Sequence, residues 1–264
     1  MHIIDELIEE RAQKLRRHAW AWRLLRPALY KALGYKKAVI MADAVFPLSG
    51  REAFQILSDQ MQIRSHIQGA EHIPTSGPVI IISNHPTGLA DGVFVFDALQ
   101  PVRSEHIFMA NADALRVIPK CEDIIIPVEW VKEKRTPAKA RATLLAFKKA
   151  LQEDRAVVIF PSGVLAHLTW RGLTDKAWNT TAVSMAKKHN IPIVPLHIKS
   201  RNSVLYYVLS KLNNELRDIT LFHELLNKSK SRPTLTFGPV IDPKTLPKNS
   251  GEATQVVREI VESL

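Results

Sequence analysis

The sequence predicts an α/β fold with a mostly parallel central sheet flanked by helices. Short, fully apolar segments such as Val79–Ile82 recur between residues 78 and 238, and longer amphipathic segments alternate with them. Strands that are apolar on both faces occur mainly in parallel sheets that helices cover on each side. The residues before this alternation are mostly helical in pattern. We therefore expect a helical segment over residues 1–64 and an α/β domain over residues 65–264.

The alternation begins after a turn-rich stretch, Ile73–Pro78. From there the apolar segments predict strands at about 78–84, 105–110, 123–128, 156–160, 191–198 and 233–238. The amphipathic segments predict helices at about 90–100, 137–152, 175–189, 203–214 and 251–263. Two of these helices have recognisable starts, because Thr136 precedes a proline and Thr174-Asp175 offers capping side chains.

Composition narrows the class of protein. The formal net charge of +10 indicates an anionic partner such as anionic lipid, nucleic acid or an acidic protein. The single cysteine, Cys121, excludes an intrachain disulfide. No apolar run approaches the ~18 residues needed to span a bilayer, and the acidic N-terminus is unlike a secretory signal. We expect a soluble or peripheral protein, without a metal, since no His/Cys cluster has ligand spacing.

The positive charge is concentrated near the N-terminus. Residues 11–37 contain nine Lys and Arg and no Asp or Glu. An apolar stripe at helical spacing runs through this segment, formed by Leu15, Ala19, Trp22, Leu29 and Leu33. This pattern predicts a helix lying on an anionic membrane, with contacts from Arg16, Arg17, Trp20, Trp22, Arg23 and Arg26. Alternatively, the helix packs on its own domain and its basic face is solvated.

The most informative motif follows the first apolar strand and reads Asn84-His85-Pro86-Thr87-Gly88-Leu89-Ala90-Asp91-Gly92. A histidine beside a carboxylate is the minimal general-base pair, since the carboxylate fixes the imidazole tautomer and stabilises the imidazolium. On one continuous helix His85 and Asp91 would point about 240° apart. The pair therefore needs a loop, which Gly88 and Gly92 allow. The structural alternative is that His85 is an ordinary loop residue and Asp91 a helix N-cap.

This motif resembles the His-x4-Asp signature of the 1-acylglycerol-3-phosphate acyltransferase superfamily, with a spacing one residue longer. Its Asn-His-Pro-x-Gly-x-x-Asp-Gly form is similar to the hemolysin-like, lyso-ornithine-lipid acyltransferase branch. Two further segments match in order. Val157–Gly163 corresponds to a strand that ends in Phe-Pro-Glu-Gly in the superfamily, and Ile191–Leu196 is similar to its late Val-Pro strand. The resemblance covers residues 65–242.

The second segment departs from the superfamily's Phe-Pro-Glu-Gly-Thr-Arg pattern, whose glutamate and arginine hold the phosphate of the acceptor. Ser162 stands in the glutamate position, and Val164 and Leu165 stand where the pattern has Thr-Arg. The nearest arginine is Arg171. We therefore expect a lyso-aminolipid to compete well with 1-acylglycerol phosphate as the acceptor.

The resemblance implies an acyltransferase that moves a fatty acyl chain from acyl carrier protein or coenzyme A to a lysolipid hydroxyl. The lysolipid would be of the lyso-ornithine-lipid or 1-acylglycerol-3-phosphate type. His85 would be the general base and Asp91 its orienting carboxylate. The candidate substrate-binding residues are Asn84, Gly88, Phe160, Pro161, Ser162, Gly163 and Arg171. Backbone N–H groups near residues 87–88 or 162–163 are candidates for stabilising the oxyanion.

The resemblance implies no cofactor, since the thioester donor is a co-substrate. The expected partners are the lysolipid, the donor and an anionic membrane surface at the cytoplasmic face of the inner membrane, with no nucleic acid. Two rivals stay open. Ser162 could be the nucleophile of an esterase or thioesterase, although the Gly-x-Ser-x-Gly elbow is absent. The chain could also be a basic membrane- or nucleic-acid-binding module, whose binding would not depend on His85.

Overall fold

The computed structural model describes residues 1–129, 134–170 and 172–264, apart from the side chain of Ala21. Its strands are β1 (His66–Gln68), β2 (Val79–Ser83), β3 (Ile107–Asn111), β4 (Ile125–Val128), β5 (Ala156–Ile159), β6 (His167–Thr169), β7 (Gly172–Thr174), β8 (Ile193–Lys199) and β9 (Thr234–Phe237). Its helices are α1 (Ile3–Arg11), α2 (Ala19–Ala32), α3 (Tyr35–Val45), α4 (Gly50–Met61), α5 (Leu89–Leu99), α6 (Ala114–Val117), α7 (Pro137–Gln152), α8 (Thr181–His189), α9 (Val204–Leu212), α10 (Asn214–Asp218), α11 (Leu221–Leu226) and α12 (Ser250–Ser263).

Seven of the strands form one sheet in the order β1-β9-β8-β2-β5-β3-β4, and β6 and β7 form a separate hairpin. Neighbouring strands of the large sheet run parallel, except that β9 is antiparallel to β8. The α/β fold with a mostly parallel, helix-flanked sheet is therefore confirmed.

Strand β2 lies inside the sheet and leads directly into the His-Asp motif. Ile81 is in register with Val158 of β5 and Val194 of β8. Successive side chains of a strand point to opposite faces, so Ile81 joins a core with α5, whereas Ile80 and Ile82 join a second core with α7, α8 and α12. Burial on both faces fixes the register of β2 and so fixes where the motif leaves the sheet.

Helices α1 to α4 precede the sheet. The first three form a third apolar core, in which Ile4, Trp22 and Leu33 pack together with Ile219. Helix α4 begins with a capping box, since Ser49 and Glu52 satisfy each other's backbone N–H groups. Its buried face joins the same core as α5. Helices α3 and α4 thus lie against the part of the sheet that carries the motif.

The structure differs from the sequence prediction at the start of one helix and at several short elements. Helix α8 begins at Thr181 rather than near Asp175, because the Asp175 carboxylate binds the motif loop instead of capping a helix. The β6–β7 hairpin and the short strand β1 were not predicted, since three-residue strands give too little alternation to be recognised. Thr136, by contrast, accepts the N–H of Lys139 and starts α7 as predicted.

Candidate active site

The candidate site lies where β2 ends and α5 begins. β2 is buried along its length, so Asn84 and His85 emerge at the carboxyl edge of the sheet, where open α/β sheets bind ligands. Gly88 then turns the chain with φ 83° and ψ −122°, a conformation that residues with a Cβ rarely adopt. This turn lets α5 begin at Leu89, with Asp91 in its first turn.

The turn brings His85 and Asp91 into contact. His85 Nδ1 lies 2.9 Å from Asp91 Oδ2, although the direction of the contact departs from that of an ideal hydrogen bond. Asp91 is fully buried, and the His85 side chain is 18% exposed. The imidazole also stacks on the Phe160 ring, with 4.4 Å between the ring centroids. The two groups that the motif predicts as a pair therefore lie together, and the histidine is the member that solvent can reach.

The Asp91 carboxylate is held by hydrogen-bond donors in the turn that precedes α5. Oδ2 accepts the backbone N–H groups of Thr87 and Gly88, each at 2.9 Å, and Oδ1 accepts the Thr87 hydroxyl. Donors of this kind, together with the positive end of α5, stabilise negative charge at this position. Asp91 is therefore oriented before any ligand binds.

A second buried carboxylate holds the backbone of His85. Asp175 Oδ1 accepts the His85 N–H at 3.2 Å, and Oδ2 accepts the Trp178 indole N–H at 3.0 Å. Burial raises the pKa of Asp175, and the hydrogen bonds from Trp178 and His85 oppose that rise. The His85 carbonyl accepts the Ala166 N–H at 2.9 Å. The β6–β7 hairpin runs between Ala166 and Asp175 and is thus tied to His85 at both ends.

A mostly apolar cavity of about 350 Å³ lies beside His85. Its walls come from α3, α4, α5, α6, α11 and β3, with Phe160, Gly163 and Leu165 closing the side next to the histidine. Such a cavity can hold a long apolar chain, with the reactive end of the ligand placed at the imidazole.

Three of the candidate substrate-binding residues line this cavity, namely Gly88, Phe160 and Gly163. Asn84 does not line this cavity, and its substrate-binding role stays a prediction. Both ends of its amide bind the backbone of Ile198, at 2.7 and 3.0 Å. These bonds join the ends of β2 and β8. Asn84 therefore holds the sheet rather than a ligand in this cavity.

Pro161 and Ser162 also have structural roles. The Pro161 carbonyl accepts the backbone and side-chain N–H groups of Asn179, each at 3.0 Å. The buried Ser162 hydroxyl donates to the Val164 carbonyl at 2.7 Å. Neither residue lines the cavity beside His85. Both shape the turn after β5, and their substrate-binding role stays a prediction. Arg171 lies outside the described residues.

Three of the candidate oxyanion donors already have acceptors within their turns. The N–H groups of Thr87 and Gly88 donate to Asp91, and the N–H of Gly163 donates to the Phe160 carbonyl at 3.1 Å. An oxyanion would have to share these N–H groups with their present acceptors, and the oxyanion role of the three groups stays a prediction.

The basic N-terminal segment is only partly as predicted. Trp22 is 8% exposed and joins the core of α1 to α3, so its predicted membrane contact is wrong. Arg16 pairs with Glu9 at 3.1 Å, and Arg26 pairs with Asp5 at 2.8 Å, which attaches α2 to α1. The predicted contacts that remain exposed are Arg16, Arg17, Trp20 and Arg23. Among the described helices, none is both long and apolar enough to cross a membrane.

Sequence reasoning missed two parts of this site. The sequence predicts Asp175 at a helix start, and nothing in it links this residue to a backbone N–H that lies 90 residues earlier. Leu165 departs from the superfamily pattern in the sequence, and only the structure shows that it lines the cavity. Its side chain would lie 2.9 Å from a Cβ placed on Gly88.

A protein-family model described as Acyltransferase matches residues 64–199, just over half of the chain. The chain belongs to the Acyltransferase family. The matched range begins before β1 and ends with β8, so it contains the His85–Asp91 pair and the turn after β5. The superfamily resemblance of these segments is therefore confirmed, and the protein is an acyltransferase.

Two relatives named lyso-glycine lipid O-acyltransferase are similar to this acyltransferase. The relative from Phocaeicola vulgatus is 24% identical over 223 residues, covering 81% of this chain and 78% of its own. The relative from Bacteroides thetaiotaomicron is 24% identical over 228 residues, covering 81% and 80%. The fold is similar to the crystal structure of the 1-acyl-sn-glycerophosphate (LPA) acyltransferase PlsC from Thermotoga maritima, with a TM-score of 0.51 and 16% identity over 81% of this chain and 78% of that one.

Proposed function

We propose that this acyltransferase moves a fatty acyl chain from a thioester of acyl carrier protein or coenzyme A to the hydroxyl of an amino-acid-linked lysolipid. The observation that carries the proposal is the contact of His85 Nδ1 with the buried Asp91 carboxylate, 2.9 Å apart, beside an apolar cavity. A histidine held by a carboxylate suits proton removal from a hydroxyl. The apolar walls suit an acyl chain.

In the proposed reaction the acceptor oxygen attacks the thioester carbonyl carbon while His85 Nε2 takes the hydroxyl proton. Collapse of the tetrahedral intermediate breaks the C–S bond, and the imidazolium returns the proton to the leaving thiolate. The products are an ester and a free thiol, and His85 ends neutral. Asp91 holds the ring orientation and stabilises the imidazolium, and base catalysis of this kind contributes about 10²- to 10⁴-fold in rate.

The walls of the cavity support an acceptor other than a phosphomonoester. Leu165, in the position where the superfamily pattern has arginine, lines the cavity. Among the described lining residues, Arg11 is the only Lys or Arg, and it is already paired with Asp113 at 2.8 Å. A doubly charged phosphate would gain little there, whereas a singly charged amino-acid head group needs less compensation. The names of the two lyso-glycine lipid relatives support the same class of acceptor.

We also propose that the enzyme attaches peripherally to an anionic membrane, on the cytoplasmic face where such thioesters are made. On α2, Trp20 and Leu24 are each 73% exposed and lie one turn apart, with the exposed Arg17 and Arg23 nearby. An exposed apolar strip beside arginines is typical of a helix that lies in the membrane interface.

The test of the proposed function is a transfer assay with purified protein, a panel of lysolipids and both classes of thioester donor. The panel includes lyso-glycine lipid, lyso-ornithine lipid and 1-acylglycerol-3-phosphate, and mass spectrometry identifies the acylated product. We expect ester formation on an amino-acid-linked lysolipid. His85→Ala should lower turnover by at least the ~10²-fold that base catalysis contributes. Asp91→Asn should lower it less, because the imidazole is retained.

Circular dichroism and thermal unfolding should show that both variants are folded. Near-wild-type turnover by His85→Ala would contradict the role of the histidine. A strict requirement for 1-acylglycerol-3-phosphate would contradict the proposed acceptor class and leave the general-base mechanism standing.

A further inference from the structure

Helix α9 presents an exposed apolar face on the surface of the protein. Val204, Val208 and Leu212 are 78%, 49% and 70% exposed. They follow one another at intervals of four residues, so they lie along one face of the helix. On another side of the same helix Tyr206 is buried, which shows that α9 is packed and that the apolar face is turned away from the protein.

The segment of the chain that contains α9 is positively charged. Residues 176–214 contain no Asp or Glu, and their six cationic side chains are Lys176, Lys187, Lys188, Lys199, Arg201 and Lys211. Of these, Arg201 and Lys211 lie within three residues of the apolar face and are exposed. An apolar strip flanked by cations is complementary to a surface that is anionic outside and apolar beneath.

A buried polar contact fixes the orientation of α9. The Glu224 carboxylate of α11 accepts the backbone N–H and the hydroxyl of Ser203, at 2.8 and 2.6 Å, at the start of α9. Helix α11 in turn contributes Leu221, Phe222 and Leu225 to the wall of the cavity beside His85. The exposed face of α9 is therefore attached to a helix that walls the proposed acyl site.

We propose that α9 is a membrane-docking helix, which lies on an anionic phospholipid bilayer with Val204, Val208 and Leu212 in contact with the lipid. Arg201 and Lys211 face the phosphates of the head groups. Together with α2, it gives the enzyme two points of attachment. This deepens the proposed function and rests on it, because a lysolipid acceptor resides in the bilayer that α9 contacts.

The test is co-sedimentation of the full chain with vesicles in the absence of any substrate. One set of vesicles contains phosphatidylglycerol and phosphatidylcholine, and the other contains phosphatidylcholine alone. The variant is V204Q/V208Q/L212Q. The matched control is L144Q/L145Q on α7, where Leu144 and Leu145 are also exposed apolar side chains. We expect the wild type to bind the anionic vesicles, the triple variant to bind at least five-fold more weakly, and the control to bind like the wild type.

Several results would overturn the proposal. They are unchanged vesicle binding by the triple variant, an equal loss in the control, or no binding by the wild type. Analytical ultracentrifugation tests whether α9 contacts a second copy of the chain instead of a membrane. In that case the triple variant should have a lower mass than the wild type and unchanged vesicle binding. If the triple variant unfolds, R201Q/K211Q takes its place and should weaken binding to the anionic vesicles only.

Activity separates this proposal from the proposed function. The triple variant should retain wild-type turnover on detergent-dispersed lysolipid and lose turnover on lysolipid embedded in vesicles. Absence of turnover by the wild type in every format would contradict the proposed function, while the vesicle-binding result would still decide the role of α9.

Discussion

At the scale of single residues, His85 depends on two buried carboxylates that differ in how far they could be predicted. Asp91 lies in the same motif, and its contact follows from local chain geometry once Gly88 allows the turn. Asp175 lies 90 residues further along the chain and meets His85 only because the fold brings the β6–β7 hairpin to the end of β2. Contacts of the first kind can be predicted from one sequence, whereas contacts of the second kind require the structure.

Asp175 is expected to be a positioning residue, and Asp175→Asn tests this. The amide can accept only at its oxygen, so one of the two N–H groups, of His85 or Trp178, loses its partner. Leaving such a buried donor unpaired costs about 1–3 kcal/mol. We expect a lower kcat with KM nearly unchanged, because the backbone of His85 is displaced while the walls of the cavity are not. Lys176→Gln, on the exposed neighbouring residue, is the control. A loss of turnover that appears only at temperatures where the variant begins to unfold would indicate a structural role alone.

Ser162 distinguishes the acyltransferase from a serine hydrolase. Its hydroxyl donates to the Val164 carbonyl inside the turn, and the residue does not line the cavity beside His85. Ser162→Ala should therefore cost about 1 kcal/mol of stability through the lost hydrogen bond and leave turnover nearly unchanged. Mass spectrometry of the wild type incubated with donor alone should show no acyl adduct. An acyl group trapped on Ser162 would favour the hydrolase instead.

At the scale of elements, burial decides which predictions succeed. Strands such as β2 are apolar on both faces and were predicted within two residues of their observed ends. The apolar stripe of α2 predicts either a membrane contact or packing within the protein, and Trp22 and Leu33 pack against α1 and α3. An apolar stripe indicates that one face of a helix is buried, but it does not show whether protein or lipid buries that face. The exposed face of α2, with Trp20 and Leu24, could be separated from the packed one only in the structure.

The attachment of α9 to α11 should be sensitive to Glu224→Gln. Burial works against ionisation of Glu224, yet the hydrogen bonds from Ser203 and the charge of Lys228, 3.1 Å away, lower its pKa. Without the carboxylate, Lys228 becomes a buried charge with no compensating anion in this pair. We expect a loss of about 3 kcal/mol in the free energy of unfolding, measured with urea. The double variant E224Q/K228M should recover much of that loss, and Lys211→Gln on exposed α9 serves as the control. A loss below about 1 kcal/mol in E224Q would show that the pair is not what holds α9.

At the scale of the whole molecule, the fold class was predictable because the alternation of apolar strands and amphipathic helices persists over most of the chain. The cavity was not. Its walls come from α3, α4, α5 and α11, which are far apart in sequence, and no local pattern marks their cavity-facing side chains. The net charge of +10 predicted an anionic partner, but only the structure shows which basic segments also expose apolar side chains.

The acid stability of the whole fold should depend on His106. This histidine is fully buried between Phe96 and Phe108, and its Nδ1 lies 2.7 Å from the Arg103 carbonyl. Burial lowers its pKa from the ordinary 6.5 to about 4. The unfolded chain therefore binds this proton more readily than the folded chain. His106 does not lower the free energy of unfolding above pH 6.5, and it lowers that free energy progressively as the pH falls toward 4.

Because of this difference in proton binding, one buried histidine makes the fold about 2 kcal/mol less stable at pH 5 than at pH 7. His106→Gln keeps a side-chain N–H for the Arg103 carbonyl and cannot titrate. Urea unfolding at the two pH values should therefore show a pH dependence that is smaller by that amount in the variant. The exposed His66 is the control, since its replacement by Gln should leave the pH dependence as it is in the wild type. Equal pH dependence in wild type and His106→Gln would mean that other buried groups, and not this histidine, set the acid limit of the fold.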